Sequence, residues 1–203
     1  KVIQFPISWD IIKKFKPEVI YGTGGYTTFP PAFWGIVLGI PVLTHELNVK
    51  PGITNKILSR FVTRTLVSFP ETNKYLPAGD SRGTGTPVRE EIVEGTASLE
   101  PKDFGLNPDS PIILLFGGSK GSRFLIEKIF EEFEGRSSVP ELPYQFLIQT
   151  GKSHYEDLRE KIDSLPTDKI SLVDYIEDMG SVYQMSDLVI CRGGAGTIAE
   201  LVA

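Results

Sequence analysis

Glycines and polar residues that are suited to chemistry are concentrated in four short segments of this 203-residue chain. Three of the segments are rich in glycine and cover residues 22–28, 117–122 and 192–197. The fourth is the polar run 45–48, which reads His-Glu-Leu-Asn. Each segment directly follows a short apolar run, so each is expected to form the loop at the carboxyl end of a strand.

The segment 117–122 is the strongest candidate for binding a phosphate group. Gly117 and Gly118 allow backbone amides to approach an anion without steric hindrance from a Cβ atom, and the start of a helix adds a favourable dipole. Ser119 supplies a further donor, whereas Lys120 is read as an exposed lysine rather than a phosphate ligand. The segment does not match the phosphate-binding loop of nucleotide hydrolases, in which the lysine follows the last glycine. It therefore predicts a cradle for a diphosphate.

Glu200 follows the third glycine-rich segment and is placed by the sequence on the first turn of a helix. One interpretation is that the helix dipole stabilises a carboxylate at this position. The other is that Glu200 accepts hydrogen bonds from both ribose hydroxyls of a nucleotide. The segments 22–28 and 45–48 also stay open, because a tight turn or a packed polar cluster explains them as well as a binding site does.

Short apolar runs alternate with amphipathic stretches along the chain, which predicts parallel, doubly wound sheets. The predicted strands are residues 19–21, 41–44, 65–68, 112–116, 145–148, 170–173 and 188–191. The predicted helices are residues 31–38, 54–61, 122–133, 154–162 and 179–185. Residues 69–111 are rich in proline and glycine and predict a linker. We therefore expect an α/β protein with two Rossmann-like lobes, residues 1–88 and 89–203.

Composition excludes several classes of protein. A net charge of −5 argues against nucleic acid as a partner, because phosphate backbones require a basic surface. Two histidines and the single cysteine, Cys191, form no metal-binding pattern, and no apolar run reaches the roughly 20 residues that span a bilayer. The chain does not begin with Met and closes on a helix-like stretch without a stop signal, so we expect a piece that lacks both ends.

The motifs in this order resemble the MurG family of GT-B glycosyltransferases almost from end to end. The matching segments, as they stand in this sequence, are residues 22–26, 39–42, 45–48, 51–55, 85–89, 116–121, 176–179 and 187–200. The resemblance implies transfer of N-acetylglucosamine from UDP-GlcNAc to the undecaprenyl-linked muramyl-peptide lipid of peptidoglycan synthesis. It also implies inversion at the anomeric carbon, a β-1,4 linkage, no cofactor and no metal at the chemical step.

The resemblance also implies roles for individual residues. The acceptor lipid is expected in the first lobe and the sugar nucleotide mainly in the second. In the donor site, Arg89 and Ile176 are expected at the uracil and Glu200 at the ribose. The diphosphate is expected at Ser119 with Gly117, Gly118 and Gly121. Ala195 and Thr197 are expected along the pocket wall. Asn48 is expected to face the transferred sugar, and Tyr26 belongs to the acceptor-side loop.

His45 and Glu46 are the catalytic candidates, although the resemblance places a better general base upstream of Lys1. The family carries a glycine loop with a histidine there, and a glutamine-bearing segment downstream of Ala203 that reads the sugar. Leu47 and Thr86 depart from the family, which has amide side chains at both positions. Lys120 and Phe29 replace a glutamine and a glycine.

A lipid acceptor implies a peripheral enzyme on the cytoplasmic face of the bacterial membrane. The apolar and basic residues that could contact the inner leaflet are Phe5, Ile7, Trp9, Ile11, Ile12, Phe15, Lys13, Lys14 and Lys16, with Trp34 and Arg60. An ordinary helix packed on its sheet explains them equally well. The remaining alternatives are a glycolipid synthase that uses UDP-galactose or UDP-glucose, a UDP-GlcNAc epimerase, and a UDP-binding module without activity.

Overall fold

A computed structural model describes residues 4–77, 81–118, 123–131, 142–163 and 167–203. The chain divides into two compact units, residues 1–87 and residues 88–203. Each unit contains its own four-stranded sheet, and all the strand pairs in both sheets are parallel. The prediction of an α/β protein with two parallel-sheet lobes is therefore confirmed.

The first unit alternates strands and helices in chain order. Its elements are α1 (Gln4–Phe15), β1 (Ile20–Gly22), α2 (Phe29–Val37), β2 (Val42–Glu46), α3 (Ile53–Leu58), β3 (Arg64–Val67), a 3₁₀ turn (Pro70–Lys74) and β4 (Ser81–Gly83). The sheet order is β1-β2-β3-β4. Ala32, Val42 and Leu58 form the buried core where α2 and α3 cover the sheet. Gly35 allows α2 to lie close to that sheet, because a Cβ atom there would come within 2.6 Å of Ile20.

The second unit follows the same alternation around a different strand order. Its elements are α4 (Glu90–Glu94), a 3₁₀ turn (Pro101–Phe104), β5 (Ile112–Phe116), α5 (Arg123–Glu131), β6 (Gln145–Gln149), α6 (Tyr155–Asp163), β7 (Ile170–Val173), α7 (Met179–Met185), β8 (Leu188–Cys191) and α8 (Ala195–Val202). The sheet order is β7-β6-β5-β8. Buried clusters around Leu114 on one side and Leu115 on the other show that both faces of β5 are covered. A strand that is buried on both faces has a continuous apolar sequence, as residues 112–116 do.

The strand order of the second unit reverses at β5, since β6 lies on one side of it and β8 on the other. In open parallel sheets, ligands bind at such a reversal, beyond the carboxyl ends of the strands. The glycine-rich segments 117–122 and 192–197 begin directly after β5 and β8, at Gly117 and Arg192. The topology therefore brings two of the predicted loops to the edge of the sheet where a ligand is expected.

Three local predictions were wrong. His45 and Glu46 are not in a loop: β2 continues to Glu46, because His45 and Glu46 pair with Leu66 and Val67 of β3. Residues 69–111 are not a plain linker, since β4 extends the first sheet and α4 packs against α7. Glu200 is the sixth residue of α8 and not on its first turn, because the helix already begins at Ala195 with Gly194 at its N-cap.

Candidate functional site

A pocket of about 210 Å³ opens in the second unit beyond the carboxyl ends of β5, β6 and β7. Residues from four elements, β5, β6, α7 and α8, and from the segments between elements line it. They are Arg89, Phe116, Gly118, Gln149, Tyr175, Ile176, Met179, Tyr183, Thr197 and Glu200. Five of the donor-site residues named from the sequence, Gly118, Arg89, Ile176, Thr197 and Glu200, thus surround one cavity.

The Glu200 side chain is the acidic group of this pocket, and 22% of its surface is exposed. One carboxylate oxygen, Oε2, accepts a hydrogen bond of 2.9 Å from the Tyr183 hydroxyl. The other, Oε1, lies 3.4 Å from a guanidinium nitrogen of Arg89. The dipole of α8 does not explain Glu200, because the residue lies beyond the first turn. Its contacts leave a polar wall that is suited to accepting hydrogen bonds from hydroxyl groups.

Arg89 precedes α4 and spans two parts of the pocket wall. Its guanidinium donates to the carbonyl oxygen of Glu177 at 3.4 Å and faces Glu200 at the same distance. Half of the side chain is exposed, so solvent screens this ion pair and its contribution to stability is small. Arg89 is therefore placed to contact a ligand without loss of a strong existing bond.

Gln149, the last residue of β6, links the segment after β5 to the segment after β7, and sequence reasoning missed it. Its Oε1 accepts from the backbone amide of Ile176 at 2.9 Å, and its Nε2 donates to the carbonyl of Gly118 at 3.3 Å. The side chain is only 3% exposed. The sequence offered one signal for Gln149, since it is a polar residue at the end of an apolar strand. A buried side-chain amide in such a position is normally hydrogen-bonded.

The glycine loop after β5 is described only in its first part. Gly117 is buried, and Gly118 has a φ of +84°, a conformation that a side chain would strain. The predicted contacts of Ser119 and Gly121 lie outside the described residues. Ala195 and Thr197 occupy the first turn of α8, and Thr197 lines the pocket while Ala195 is half-buried.

Asp178 holds the N-terminus of α7, the helix that carries Tyr183. Its Oδ1 accepts from the Ser181 amide at 3.0 Å, and its Oδ2 accepts from the hydroxyls of Ser181 at 2.5 Å and Ser98 at 2.6 Å. These hydrogen bonds, those of Ser181 first, lower the pKa of Asp178 from 3.8 to about 2. The cap also fixes the segment before β5 to this helix.

His45 lies in the first unit and is only 2% exposed. Its Nδ1 is 2.7 Å from the Tyr21 hydroxyl, and its Nε2 is 3.3 Å from the Ser68 hydroxyl and 3.5 Å from that of Thr84. Burial is the main cause that lowers the pKa of His45, against smaller raising effects of the Gly85 backbone and Glu46. The ring is therefore neutral near pH 7 and surrounded by hydroxyl groups.

Glu46 is 3% exposed, and its carboxylate is occupied by donors from the loop after β2 and from α3. Oε1 accepts from the backbone amide and the side-chain amide of Asn48, both at 3.0 Å. Oε2 accepts from the Gly52 amide at 3.0 Å and from Asn55 Nδ2 at 2.9 Å. A carboxylate has about four acceptor positions, so this arrangement fills them. The geometry favours a positioning role for Glu46 over the catalytic role predicted for it.

Asn48 and Tyr26, the other two predicted residues of the first unit, are both exposed. Asn48 is fixed by Glu46 on one side and by the Thr72 hydroxyl, which donates to its carbonyl at 3.0 Å. Tyr26 is 68% exposed in the loop after β1. That loop touches the buried Asn55, because a Cβ atom on Gly24 would lie 2.8 Å from Asn55 Nδ2.

The predicted apolar surface of α1 separates into two sides. Phe5, Trp9 and Ile12 pack inwards, with the Trp9 ring 4.6 Å from that of Trp34 on α2. The exposed side carries three large apolar residues at a spacing of four, Ile7 at 51%, Ile11 at 58% and Phe15 at 78%. In the described part of the chain, every helix is too short or too polar to cross a lipid bilayer.

The described residues contain no group of three or more His, Cys, Asp or Glu side chains that could hold a metal ion. Cys191, in β8, is half-buried, and burial raises the pKa of its thiol. A raised pKa disfavours the reactive thiolate. Neither observation adds a further chemical group to the pocket.

Two doubly wound α/β units, the second with a pocket at its strand reversal, match the architecture of the GT-B class of glycosyltransferases. Family comparison agrees: the glycosyltransferase family 28 N-terminal domain matches residues 3–67, and the family 28 C-terminal domain matches residues 112–203. The chain belongs to glycosyltransferase family 28, in its MurG group.

The sequence relatives place it in that group. The chain is 38% identical over 194 residues to a UDP-N-acetylglucosamine–N-acetylmuramyl-(pentapeptide) pyrophosphoryl-undecaprenol N-acetylglucosamine transferase of Acetivibrio thermocellus, covering 95% of this chain and 52% of the relative. A relative with the same name in Halalkalibacterium halodurans is 34% identical over 194 residues, covering 95% and 53%. The chain thus spans about half the length of the curated relatives it matches.

Solved structures show the same fold. The MurG of Acinetobacter baumannii superposes with a TM-score of 0.65 at 30% identity, covering 96% of this chain and 52% of that one. The S. aureus MnaA–UDP structure gives 0.68 at 11% identity, covering 96% and 58%. The UDP-GlcNAc 2-epimerase of Neisseria meningitidis bound to UDP-GlcNAc gives 0.65 at 14%, covering 95% and 59%. At such low identity the last two show the fold alone.

Proposed function

We propose that the pocket of the second unit binds the UDP portion of UDP-GlcNAc and that the protein transfers the sugar to an undecaprenyl-linked muramyl-peptide lipid. The observation that carries the proposal is the convergence of Glu200, Arg89 and Ile176 on one cavity with the glycine loop after β5. The identity of the two substrates is inferred from the relatives that bear the name of this transferase.

The described contacts support a specific arrangement of the nucleotide. Glu200 accepts from the ribose hydroxyls, and the uracil lies near Ile176 and Arg89. The Ile176 amide already donates to Gln149, so its carbonyl is the group left for the uracil imide. The diphosphate lies at Gly118, and the predicted contacts of Ser119 and Gly121 complete its site. Backbone amides there stabilise the charge that develops as UDP leaves.

The chemical step follows from this placement. A base removes the proton from the C4 hydroxyl of the muramyl residue, the hydroxyl oxygen attacks the anomeric carbon, and the bond from that carbon to UDP breaks with inversion. The resemblance places the better candidate for this base upstream of Lys1. His45 is the reserve candidate among the described residues, and its buried ring already contacts the hydroxyls of Tyr21, Ser68 and Thr84. Asn48 and Tyr26 are proposed to face the sugar and the acceptor.

The first unit is proposed to carry the acceptor and to touch the membrane surface on the cytoplasmic side. The exposed stripe of Ile7, Ile11 and Phe15 lies on the helix that also carries Lys13 and Lys14. Apolar side chains beside lysines are typical of helices that bind anionic lipid surfaces. Replacing Ile11 and Phe15 by Ser should reduce sedimentation with vesicles that contain anionic lipid, whereas Ile53→Ser, on α3, should not.

A transfer assay tests the proposed activity. The full-length protein, rather than this piece alone, is incubated with labelled UDP-GlcNAc and a lipid-linked muramyl-peptide acceptor, and the label is followed into the lipid. We expect transfer to this acceptor. Absence of transfer here, together with transfer to a diacylglycerol acceptor, would overturn the assignment in favour of a glycolipid synthase.

Replacing the ribose ligand tests the donor site separately. Glu200→Ala should weaken UDP binding by about 1–3 kcal/mol, because a hydrogen bond to a charged group is lost. Calorimetric titration with UDP measures the change, and Glu131→Ala, on the exposed end of α5, serves as the control. Unchanged affinity of the Glu200 variant would refute its role.

A further inference from the structure

Tyr183 has a hydroxyl group that the proposed reaction does not use. We infer that Tyr183 is a positioning residue that holds the Glu200 carboxylate in the orientation needed to bind the ribose of UDP. This inference rests on the proposed function, since it concerns the same nucleotide site. It adds a residue on α7 that sets the specificity of a residue on α8.

The contact is direct and well placed. The Tyr183 hydroxyl donates to Glu200 Oε2 at 2.9 Å, and both side chains line the pocket. The Tyr183 ring packs against Phe116, with 6.1 Å between the ring centroids. Because Phe116 is buried in the core, the ring has a fixed support and its hydroxyl has a defined position.

The number of hydrogen bonds that the Glu200 carboxylate can accept explains why the Tyr183 contact affects ribose binding. Each carboxylate oxygen accepts about two hydrogen bonds. Tyr183 takes one position on Oε2, and Arg89 faces one on Oε1. One position then remains on each oxygen, which matches the two neighbouring hydroxyls of a ribose. Without Tyr183, the flexible glutamate would lose the contact that selects this rotamer.

Tyr183 also keeps its proton under all ordinary conditions. Burial first, and then the hydrogen bond to Glu200, raise the pKa of the Tyr183 hydroxyl well above its usual value of 10. The phenol is therefore a permanent donor to the carboxylate. A group that supplies a proton for chemistry would have the opposite shift.

The test compares UDP with 2′-deoxyuridine diphosphate, which lacks one of the two ribose hydroxyls. Wild type, Tyr183→Phe, Glu200→Ala and the double variant are titrated with both nucleotides by calorimetry. Tyr144→Phe, which removes a hydroxyl elsewhere in the second unit, is the matched control. Thermal unfolding of each variant confirms that it is folded, and Phe preserves the packing of the Tyr183 ring.

We expect Tyr183→Phe to weaken UDP binding by about 3- to 10-fold, which corresponds to one lost hydrogen bond. The preference for UDP over the deoxy nucleotide should fall by about threefold or more, because the ribose contact is what is lost. In the Glu200→Ala background, where the hydroxyl has no carboxylate to donate to, the same substitution should change affinity by less than about twofold.

Three results would overturn the inference. Equal losses for both nucleotides would show that Tyr183 acts on the whole pocket, and unchanged binding would show that it does nothing for the ribose. Additive effects in the double variant would show that Tyr183 does not act through Glu200. If the wild-type protein bound neither nucleotide, the proposed function itself would fail and this inference with it.

Discussion

Single polar residues in this chain divide into those that hold loops and those that face a cavity. Glu46 and Glu200 were both singled out from the sequence, yet their surroundings differ. Glu46 is buried with four donors from the following loop and α3, whereas Glu200 lines an open pocket with two partners. Spacing along a chain does not distinguish the two, because it does not reveal how many donors the fold brings to a carboxylate.

Glu46→Gln should destabilise the protein by about 1–3 kcal/mol, because a side-chain NH₂ group would then face an amide donor in a buried site. Urea unfolding measures the loss. Glu71→Gln, on the exposed 3₁₀ turn, is the control and should leave stability within about 0.5 kcal/mol. A Glu46 variant with unchanged stability but no activity would instead support direct catalysis.

His45 should make stability depend on pH. Its pKa in the folded protein lies below the ordinary value of 6.5, so the unfolded chain binds the proton more readily. The free energy of unfolding should therefore fall as the pH drops below about 6.5. His45→Gln should flatten this dependence, and His154→Gln should not. The same slope in both variants would show that another group is responsible.

At the scale of elements, the apolar runs of the second unit were the most predictable part of the fold. β5, β7 and β8 have the bounds expected from the sequence, because each is a short run with a clear end, and α7 also has the expected bounds. β4 (Ser81–Gly83) was not predictable, because none of its three residues has an apolar side chain. These residues form a strand by pairing with the edge strand β3. The missed Tyr183 lies within a correctly predicted helix, where periodicity shows burial but not a hydrogen bond to another helix.

The cap of α7 allows a prediction at this scale. Asp178→Ala should destabilise the second unit by about 1–2 kcal/mol through loss of the N-cap. Since the pKa of Asp178 is lowered to about 2 from 3.8, this contribution is fully present above pH 3.8 and is lost as the pH falls towards 2. Acid unfolding of both proteins, with Asp109→Ala as the control, measures it. An equal acid midpoint for wild type and Asp178→Ala would contradict the assignment.

For the whole molecule, fold class and family were predictable because both depend on order along the chain. Alternating strands and helices predicted two parallel sheets, and the succession of glycine loops indicated the family that the comparisons then identified. The pocket was only partly predictable. Gly118, Ile176 and Glu200 stand in recognisable motifs, whereas Gln149 joins two loops that only the folded sheet brings together.

The central claim is that the pocket at the strand reversal of the second unit holds uridine diphosphate. A crystal structure of the protein with UDP tests it most directly. We predict that the ribose hydroxyls lie within hydrogen-bond distance of Glu200, the uracil beside Ile176 and the diphosphate at the loop after β5. A nucleotide bound at any other place, with this pocket empty, would contradict the account.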